Sequence, residues 1–317
     1  MSRALVTGGA GCIGSELAAA LLARGDEVVV LDDFSSGRPE HIAALRGDPR
    51  FTLVEADLLD PGAVERAAAG ASMVWHLAAN PDVKFRAGSR TDIDLRQNTV
   101  GTFTVLEAMR RARVPRIVFA STSAVYGISE RQPISEDSPC RPISLYGASK
   151  LACEGLLSAY CHLFAIEVRI LRLANIVGKK TRRRGGTALG DFVARLREDP
   201  TRLRILGDGR QSKSYLTTGE CVAAMLFVAD RAAGPFQLYN LGGSDAVSVS
   251  RMAELVVEEM GFRDVSFEYA GGAQGWPGDV PRFVLDTARL NALGWRARLN
   301  SEQSVRLAIR QLLGKAP

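Results

Sequence analysis

Gly8-Gly9-Ala10-Gly11-Cys12-Ile13-Gly14 follows the apolar run Ala4-Leu5-Val6 and precedes an alanine-rich helical segment; the next apolar run, Val28-Val29-Val30-Leu31, ends in Asp32. Glycines between a strand and a helix let the backbone turn tightly and approach a pyrophosphate, whose charge is attracted by the free amides of the helix start. Strand, glycines, helix, strand and acid stand here in the order of a dinucleotide-binding unit, so the chain is expected to hold a dinucleotide. Asp32, at the carboxyl end of the second strand, can accept both hydroxyls of an adenosine ribose and repels a 2′-phosphate, which favours NAD over NADP. Asp33 either shares that task or is solvated. Asp57, in Glu55-Ala56-Asp57-Leu58, either touches the adenine edge or caps a helix.

Runs rich in valine and isoleucine alternate with helical patterns up to about Asn175. This predicts an α/β fold, a doubly wound parallel sheet of the Rossmann type with helices on both faces. The expected strands are residues 4–7, 28–32, 52–56, 73–77, 116–120 and 167–173, and ligands of such sheets bind outside the carboxyl ends. Further on, short strands are expected at 204–206 and 236–241, and helices at 220–229, 249–260 and 301–313. The organisation expected is a Rossmann domain of residues 1–175 with about 215–241, and a smaller C-terminal substrate-binding domain of residues 176–214 and 242–317.

A chain of 317 residues that is 46% hydrophobic can bury one large core or two unequal ones. No stretch is apolar for long enough to cross a membrane, and the first strand begins at Arg3, so neither a membrane anchor nor a cleaved leader is expected. Five cysteines without metal-ligand spacing point to free thiols in a reducing cytoplasm, and His41, His76 and His162 are too scattered for a metal site. The net charge of +5 is modest, with basic residues interspersed among acids, which argues against a nucleic-acid partner. One cluster departs from this: Lys179, Lys180, Arg182, Arg183 and Arg184 crowd a loop ending in Gly185-Gly186, where several cations can face one polyanionic ligand.

Tyr146-Gly147-Ala148-Ser149-Lys150 opens a long helical segment, and the spacing of four places phenol and ammonium on one face. Ionising a tyrosine near pH 7, from its ordinary pKa of about 10, requires about 4 kcal/mol, which Lys150 and a bound nicotinamide cation can supply together. Tyr146 is thus a candidate general base. Upstream, Phe119-Ala120-Ser121-Thr122-Ser123-Ala124-Val125-Tyr126-Gly127 carries a strand into a polar turn, where Thr122 or Ser123 can share the proton.

With these residues in view the chain resembles the extended short-chain dehydrogenase/reductase (SDR) family, and within it the nucleotide-sugar epimerases, particularly those of the archaeal UDP-glucose 4-epimerase type. The resemblance spans nearly the whole length. Besides the glycine turn, the Ser-Thr-Ser turn and Tyr146 to Lys150, it rests on Trp75-His76-Leu77-Ala78-Ala79-Asn80-Pro81, Arg172-Leu173-Ala174-Asn175 and Gly207-Asp208-Gly209-Arg210-Gln211-Ser212-Lys213-Ser214-Tyr215. It continues through Tyr239-Asn240-Leu241-Gly242 and Trp276-Pro277-Gly278-Asp279-Val280-Pro281.

The resemblance implies NAD as cofactor and a UDP-hexose as substrate, with Tyr146 removing a hydroxyl proton, Lys150 holding the nicotinamide ribose and Thr122 bonding the reacting oxygen. It also implies cofactor contacts from Gly8, Gly11, Cys12, Ile13, Gly14, Asp32, Asp33, Asp57, Leu58, Leu77, Ala78, Ala79 and Asn98, although Asn98 reads equally as a cap or a helix–sheet contact. Substrate contacts are implied for Asn80, Lys84, Ser123, Asn175, Lys213, Asp279 and Phe283. Dehydratases of the family carry an Asp-Glu pair after the threonine, where this chain has Ser123 and Ala124, so epimerisation is favoured. Phe283, placed against the sugar's C2 substituent, disfavours an N-acetyl group, which leaves UDP-glucose and UDP-galactose.

Trp276 and Lys213 stand where arginines commonly clamp the diphosphate. The basic loop is the expected substitute; alternatively it binds a carboxylate, making a UDP-glucuronate 4-epimerase, or it is simply solvated. A noncatalytic NAD-binding scaffold or sensor is the reading from another class, against which Tyr146, Lys150 and Thr122 argue. An oxidoreductase that releases NADH is a further one. Apolar residues on more than one face of 100–112 and 151–164 suggest that one side meets the sheet and the other a partner, and the resemblance implies a homodimer joined by a four-helix bundle.

Overall fold

The apolar runs become the strands β1 (Arg3–Thr7), β2 (Glu27–Asp32), β3 (Phe51–Glu55), β4 (Met73–His76), β5 (Arg116–Thr122) and β6 (Glu167–Leu173) in the computed structural model, which describes residues 2–81, 90–181 and 187–315. Short strands follow: β7 (Asn175–Val177), β8 (Arg202–Ile205), β9 (Ser212–Lys213) and β10 (Tyr215–Thr217). The strand β11 (Phe236–Leu241) then pairs in parallel with β6. The main sheet has seven parallel strands in the order β11-β6-β5-β4-β1-β2-β3. The order reverses between β1 and β4, so a crevice opens beyond their carboxyl ends, at Gly8 and Leu77.

Helices cover both faces because the buried strands offer apolar side chains to each. On one face pack α1 (Cys12–Ala23) and, later in the chain, α6 (Thr218–Arg231), through Leu17, Leu21, Met225 and Val228. On the other pack α2 (Pro61–Ala68), α3 (Gly101–Ala112) and α4 (Leu145–Phe164), through Val64, Val105, Met109 and Leu157. A separate core joins α5 (Ala188–Glu198), α7 (Val249–Met260) and α9 (Ser301–Leu313), with Phe192, Leu255 and Ile309 inside it, while the short α8 (Ala288–Leu293) lies against β11.

Where boundaries differ from the sequence expectation, the cause is local. The fifth strand runs on to Thr122 rather than ending at residue 120, because pairing with β6 continues as far as Thr122 opposite Leu173. The helix expected to begin at 220 begins at Thr218, since the Thr217 side chain caps it by accepting from the Glu220 amide. The strand expected at 204–206 is Arg202–Ile205, in register with Ser266–Tyr269. All five cysteines are free thiols, and among the described residues no helix is long and apolar enough to cross a membrane.

Candidate active site

The turn after β1 presses its backbone against the end of β4. Gly8 has φ +69°, and a Cβ there would lie 2.7 Å from the Ala78 nitrogen, so a glycine is needed for both conformation and space. Gly14, in the first turn of α1, would put a Cβ 2.2 Å from the Gly8 carbonyl oxygen. Gly11 is the N-cap of α1; no side chain caps the helix and its first turn carries no acid. Amide donors and the positive end of the helix dipole are therefore available to an anion.

Asp32 is buried at the end of β2, where one carboxylate oxygen accepts from the Ala10 amide at 2.8 Å and the other from the Phe34 amide at 2.9 Å. These bonds orient the carboxylate while each oxygen keeps capacity for a ribose hydroxyl. Burial pushes its carboxyl above the usual range. Asp33 is exposed and accepts from the Ser35 amide and hydroxyl at 2.9 and 2.6 Å.

A cavity of about 680 Å³ is lined by Gly8, Gly11, Cys12, Ile13 and Gly14, by Asp32 and Asp33, by Leu58, Leu77, Ala78, Ala79 and Asn80, and by Tyr146 and Lys150. A tight glycine cradle, an uncapped helix start and an oriented buried carboxylate on one cavity fit a dinucleotide. Gly14→Ala should therefore weaken NAD binding roughly a hundredfold, about 3 kcal/mol, because the clash is with backbone and shifts the cradle. Titration calorimetry on a folded variant checks this; unchanged affinity would mean the cradle does not hold the pyrophosphate.

Two expected cofactor residues bond the protein itself. Asp57 does not line the cavity, and its carboxylate accepts from the Leu59 amide at 2.9 Å. Asn98 is buried behind the wall; its Oδ1 accepts from the Asn80 amide at 2.8 Å and its Nδ2 donates to Ser149 Oγ at 2.9 Å. It fixes the backbone of a wall residue against α4. Lys84 and Arg182 to Arg184 lie outside the described residues.

Tyr146 stands at the start of α4 behind its cap, Ser144, which accepts from the Gly147 amide at 3.0 Å. One turn later Lys150 is buried; its Nζ donates to the Ala120 carbonyl at 2.9 Å and sits 4.5 Å from the centre of the Phe119 ring. Burial pushes this ammonium down to about 8. The Tyr146 hydroxyl is hydrogen-bonded to the Thr122 side chain, which also accepts from the Ala124 amide at 3.1 Å. Burial, opposed by the Thr122 bond, pushes the phenol up to about 12. In the ligand-free chain the phenol is thus held more firmly in its neutral form, and ionising it near pH 7 takes about 7 kcal/mol rather than about 4.

A second cavity, of about 250 Å³, is lined by Thr122, Ser123, Asn175, Lys213, Asp279 and Phe283, with Leu189, Phe192 and Met252 supplying apolar wall. The Tyr146–Thr122 hydrogen bond joins a wall residue of one cavity to a wall residue of the other. Asn175 is bonded to the Tyr215 hydroxyl. Lys213 donates to the buried Asp279 at 2.5 Å and lies 4.9 Å from the Trp276 ring centre, so its charge is already countered.

Behind both cavities stand buried polar struts that local sequence does not distinguish from ordinary packing. His76 Nδ1 is 2.6 Å from Thr7 Oγ1 and its Nε2 is 2.9 Å from Thr102 Oγ1. Thr7 Oγ1 also accepts from the Ala78 amide at 3.3 Å, and Thr102 donates to Cys153 at 3.2 Å, so the chain of bonds runs from the glycine turn to α4. Burial holds the imidazole neutral, down to about 3. Glu154, one turn beyond Lys150, accepts from Ser121 Oγ at 2.5 Å and from Arg172 Nη2 at 2.7 Å, fastening the helix to β5 and β6.

The sequence matches the NAD dependent epimerase/dehydratase family over residues 4–242. The chain belongs to this family. Its cofactor is NAD, and as a member it is an enzyme of the nucleotide-sugar epimerase/dehydratase type with the SDR form of the Rossmann fold. The UDP-glucose 4-epimerase of Mycolicibacterium smegmatis is 33% identical over 307 residues, 94% of each chain. A crystal structure of UDP-galactose 4-epimerase is similar with a TM-score of 0.87 and 36% identity, covering 98% of this chain and 99% of that one. The Thermus thermophilus UDP-glucose 4-epimerase, solved in complex with NAD, has a TM-score of 0.86 at 31% identity, covering 99% and 100% of the two chains.

Proposed function

We propose that this epimerase-family member interconverts UDP-glucose and UDP-galactose at C4, with Tyr146 as the base. The supporting observation is the Tyr146–Thr122 hydrogen bond between a cofactor-sized cavity and a second, smaller one. Tyr146 Oη takes the proton of the C4 hydroxyl while Thr122 Oγ1 holds the same oxygen. NAD supplies the ring that accepts the C4 hydrogen with its electron pair and gives it back. Lys150 Nζ holds the nicotinamide ribose, and Asn175 steadies the nucleotide sugar. The resulting keto sugar turns over, and Oη returns the proton on completion. Ser123 and Ala124 offer no acid to expel water, so the sugar keeps all its oxygens.

The smaller cavity is the place of the UDP-hexose. Phe283 is buried in its wall, and its bulk would disfavour an N-acetyl group there. Lys213, Asp279 and Trp276 form a neutral ensemble there instead of an arginine clamp. Residues 1–175 with 215–241 would supply most of the cofactor's contacts, and residues 176–214 with 242–317 most of the substrate's. Free thiols suit a reducing cytoplasm.

A second copy of the chain is the proposed partner. Leu106, Met109, Leu157 and Tyr160 are spent on the sheet, whereas Val100, Phe103, Leu163 and Phe164 remain exposed on or beside α3 and α4. Sedimentation as a monomer at micromolar concentration would remove this part of the reading.

The test is turnover of UDP-glucose, UDP-glucuronate and UDP-N-acetylglucosamine without added NAD. UDP-galactose formed from the first, with the other two converted at least about tenfold more slowly, is expected, since excluding an ill-fitting group is worth about 1–3 kcal/mol. Preferred conversion of UDP-glucuronate would favour the carboxylate-binding role of the basic loop. Equal use of the N-acetyl sugar would overturn the role of Phe283. No conversion, with a cofactor that stays oxidised in every sugar, would favour a noncatalytic scaffold.

A further inference from the structure

The sequence pattern aims the basic segment that begins at Lys179 at the substrate, yet its one described side chain with a polar contact inside a cavity points to the other ligand. Lys180 Nζ donates to Ser15 Oγ at 2.9 Å and to the His41 carbonyl at 3.3 Å. Ser15 lies on the first turn of α1, immediately after Gly14, and Lys180 lines the same cavity as Gly11, Cys12 and Ile13. The ammonium is therefore held over the uncapped helix start, where amides and dipole already favour an anion. Glu16, the next residue of α1, is close enough to act on Lys180, and burial raises its carboxyl while Lys180 lowers it. Without the lysine, the charge of that carboxylate, next to the first turn of α1, would lose the cation that counters it.

We propose that Lys180 is a direct ligand of the NAD pyrophosphate, clamping it against the start of α1 and shielding it from Glu16. The assignment rests on NAD as cofactor and not on which sugar is turned over. It divides the basic segment: Lys180 serves the dinucleotide, so it is not part of a diphosphate clamp for the substrate. The backbone supports this placement. The Lys179 amide donates to Gln311 Oε1 on α9 at 3.1 Å, which anchors the segment to the third core and lets Lys180 reach back to α1. Further along, Thr187 lines both cavities.

Binding measurements on the protein stripped of dinucleotide separate a ligand from a strut. The probes are NAD, ADP-ribose, which shares the pyrophosphate, adenosine, which lacks it, and UDP. Lys180→Met should weaken NAD and ADP-ribose about tenfold or more, as loss of a charge-assisted bond does, and leave adenosine and UDP within about twofold. Lys180→Arg, which keeps the charge, should stay within about threefold of the wild type for all four. Equal weakening of adenosine would make Lys180 a strut between segments, and weakening of UDP alone would return it to the substrate; either result overturns the proposal, as does unchanged NAD affinity. Should Lys180→Met not fold, acylation of lysines in the wild-type protein separates the same alternatives. ADP-ribose should protect Lys180 from the reagent and adenosine should not, while protection by neither or by both contradicts the assignment.

Discussion

Tyr146→Phe is expected to lower kcat for sugar epimerisation by about 10²- to 10⁴-fold, the range that loss of a positioned acid–base group commonly produces. KM and the affinity for NAD should move little, because the ring remains and only the hydroxyl bonded to Thr122 is lost. The size of the effect follows from how poor a substitute the described residues offer. Thr122 is the hydroxyl closest in role, and it already accepts from the Ala124 amide while bonded to Tyr146. Its own ionisation is out of reach near neutral pH. Since burial sets the phenol at about 12 in the ligand-free chain, the proposed base role requires that the cofactor's positive ring bring it down. The tyrosinate signal that Tyr146→Phe removes should therefore appear at lower pH with NAD bound than without it. A phenol that titrates alike in both states would mean that Tyr146 is not beside the nicotinamide.

Lys150→Met is expected to abolish most activity and to stabilise the ligand-free protein at pH 7. Lys150 is 2% exposed, and burial lowers its ammonium from the ordinary 10.5 to about 8. The folded state therefore binds fewer protons than the unfolded state between about pH 8 and pH 10.5, and stability rises with pH across that window. Below pH 8 the cost of burying the charge is fully present, on the order of 3 kcal/mol. Methionine removes that cost but leaves the Ala120 carbonyl without its donor, worth about 1 kcal/mol, so a net gain of about 1–2 kcal/mol is expected. At pH 10 and above the gain should vanish. Urea denaturation at pH 7 and pH 10 measures both points, and a variant less stable than the wild type at pH 7 would mean that the buried ammonium stabilises the fold. On the proposed mechanism the activity loss and the stability gain have one source, the buried charge of Lys150.

What was legible in the sequence was what depends on near neighbours in the chain. The glycine turn, Asp32 and the four-residue spacing of Tyr146 and Lys150 are local patterns, and each stands on the cavity where the spacing put it. The Thr122-Ser123 turn, Asn175, Lys213 and the stretch from Asp279 to Phe283 lie far apart from one another in sequence and are tied together only by resemblance, yet they meet in one cavity. Long-range pairing was not legible. Nothing near Lys213 signals that its charge is countered by Asp279, 66 positions away, and nothing near Lys180 signals that it reaches Ser15, 165 positions back. Asn98 shows the same limit, since it serves the cavity wall through Asn80 and Ser149 rather than lining it. The direction of the Tyr146 shift is also a three-dimensional property, because it is burial rather than the helical spacing of Lys150 that dominates the phenol.

UDP-glucose carrying deuterium at C4 tests most directly whether Tyr146 works beside a cofactor that is used and restored within one turnover. Wild-type protein should yield UDP-galactose that keeps the label at C4, in normal water and with no reduced cofactor released, while Tyr146→Phe should yield almost none. Product that has lost the deuterium to water, or label that leaves with free reduced cofactor, would contradict the account.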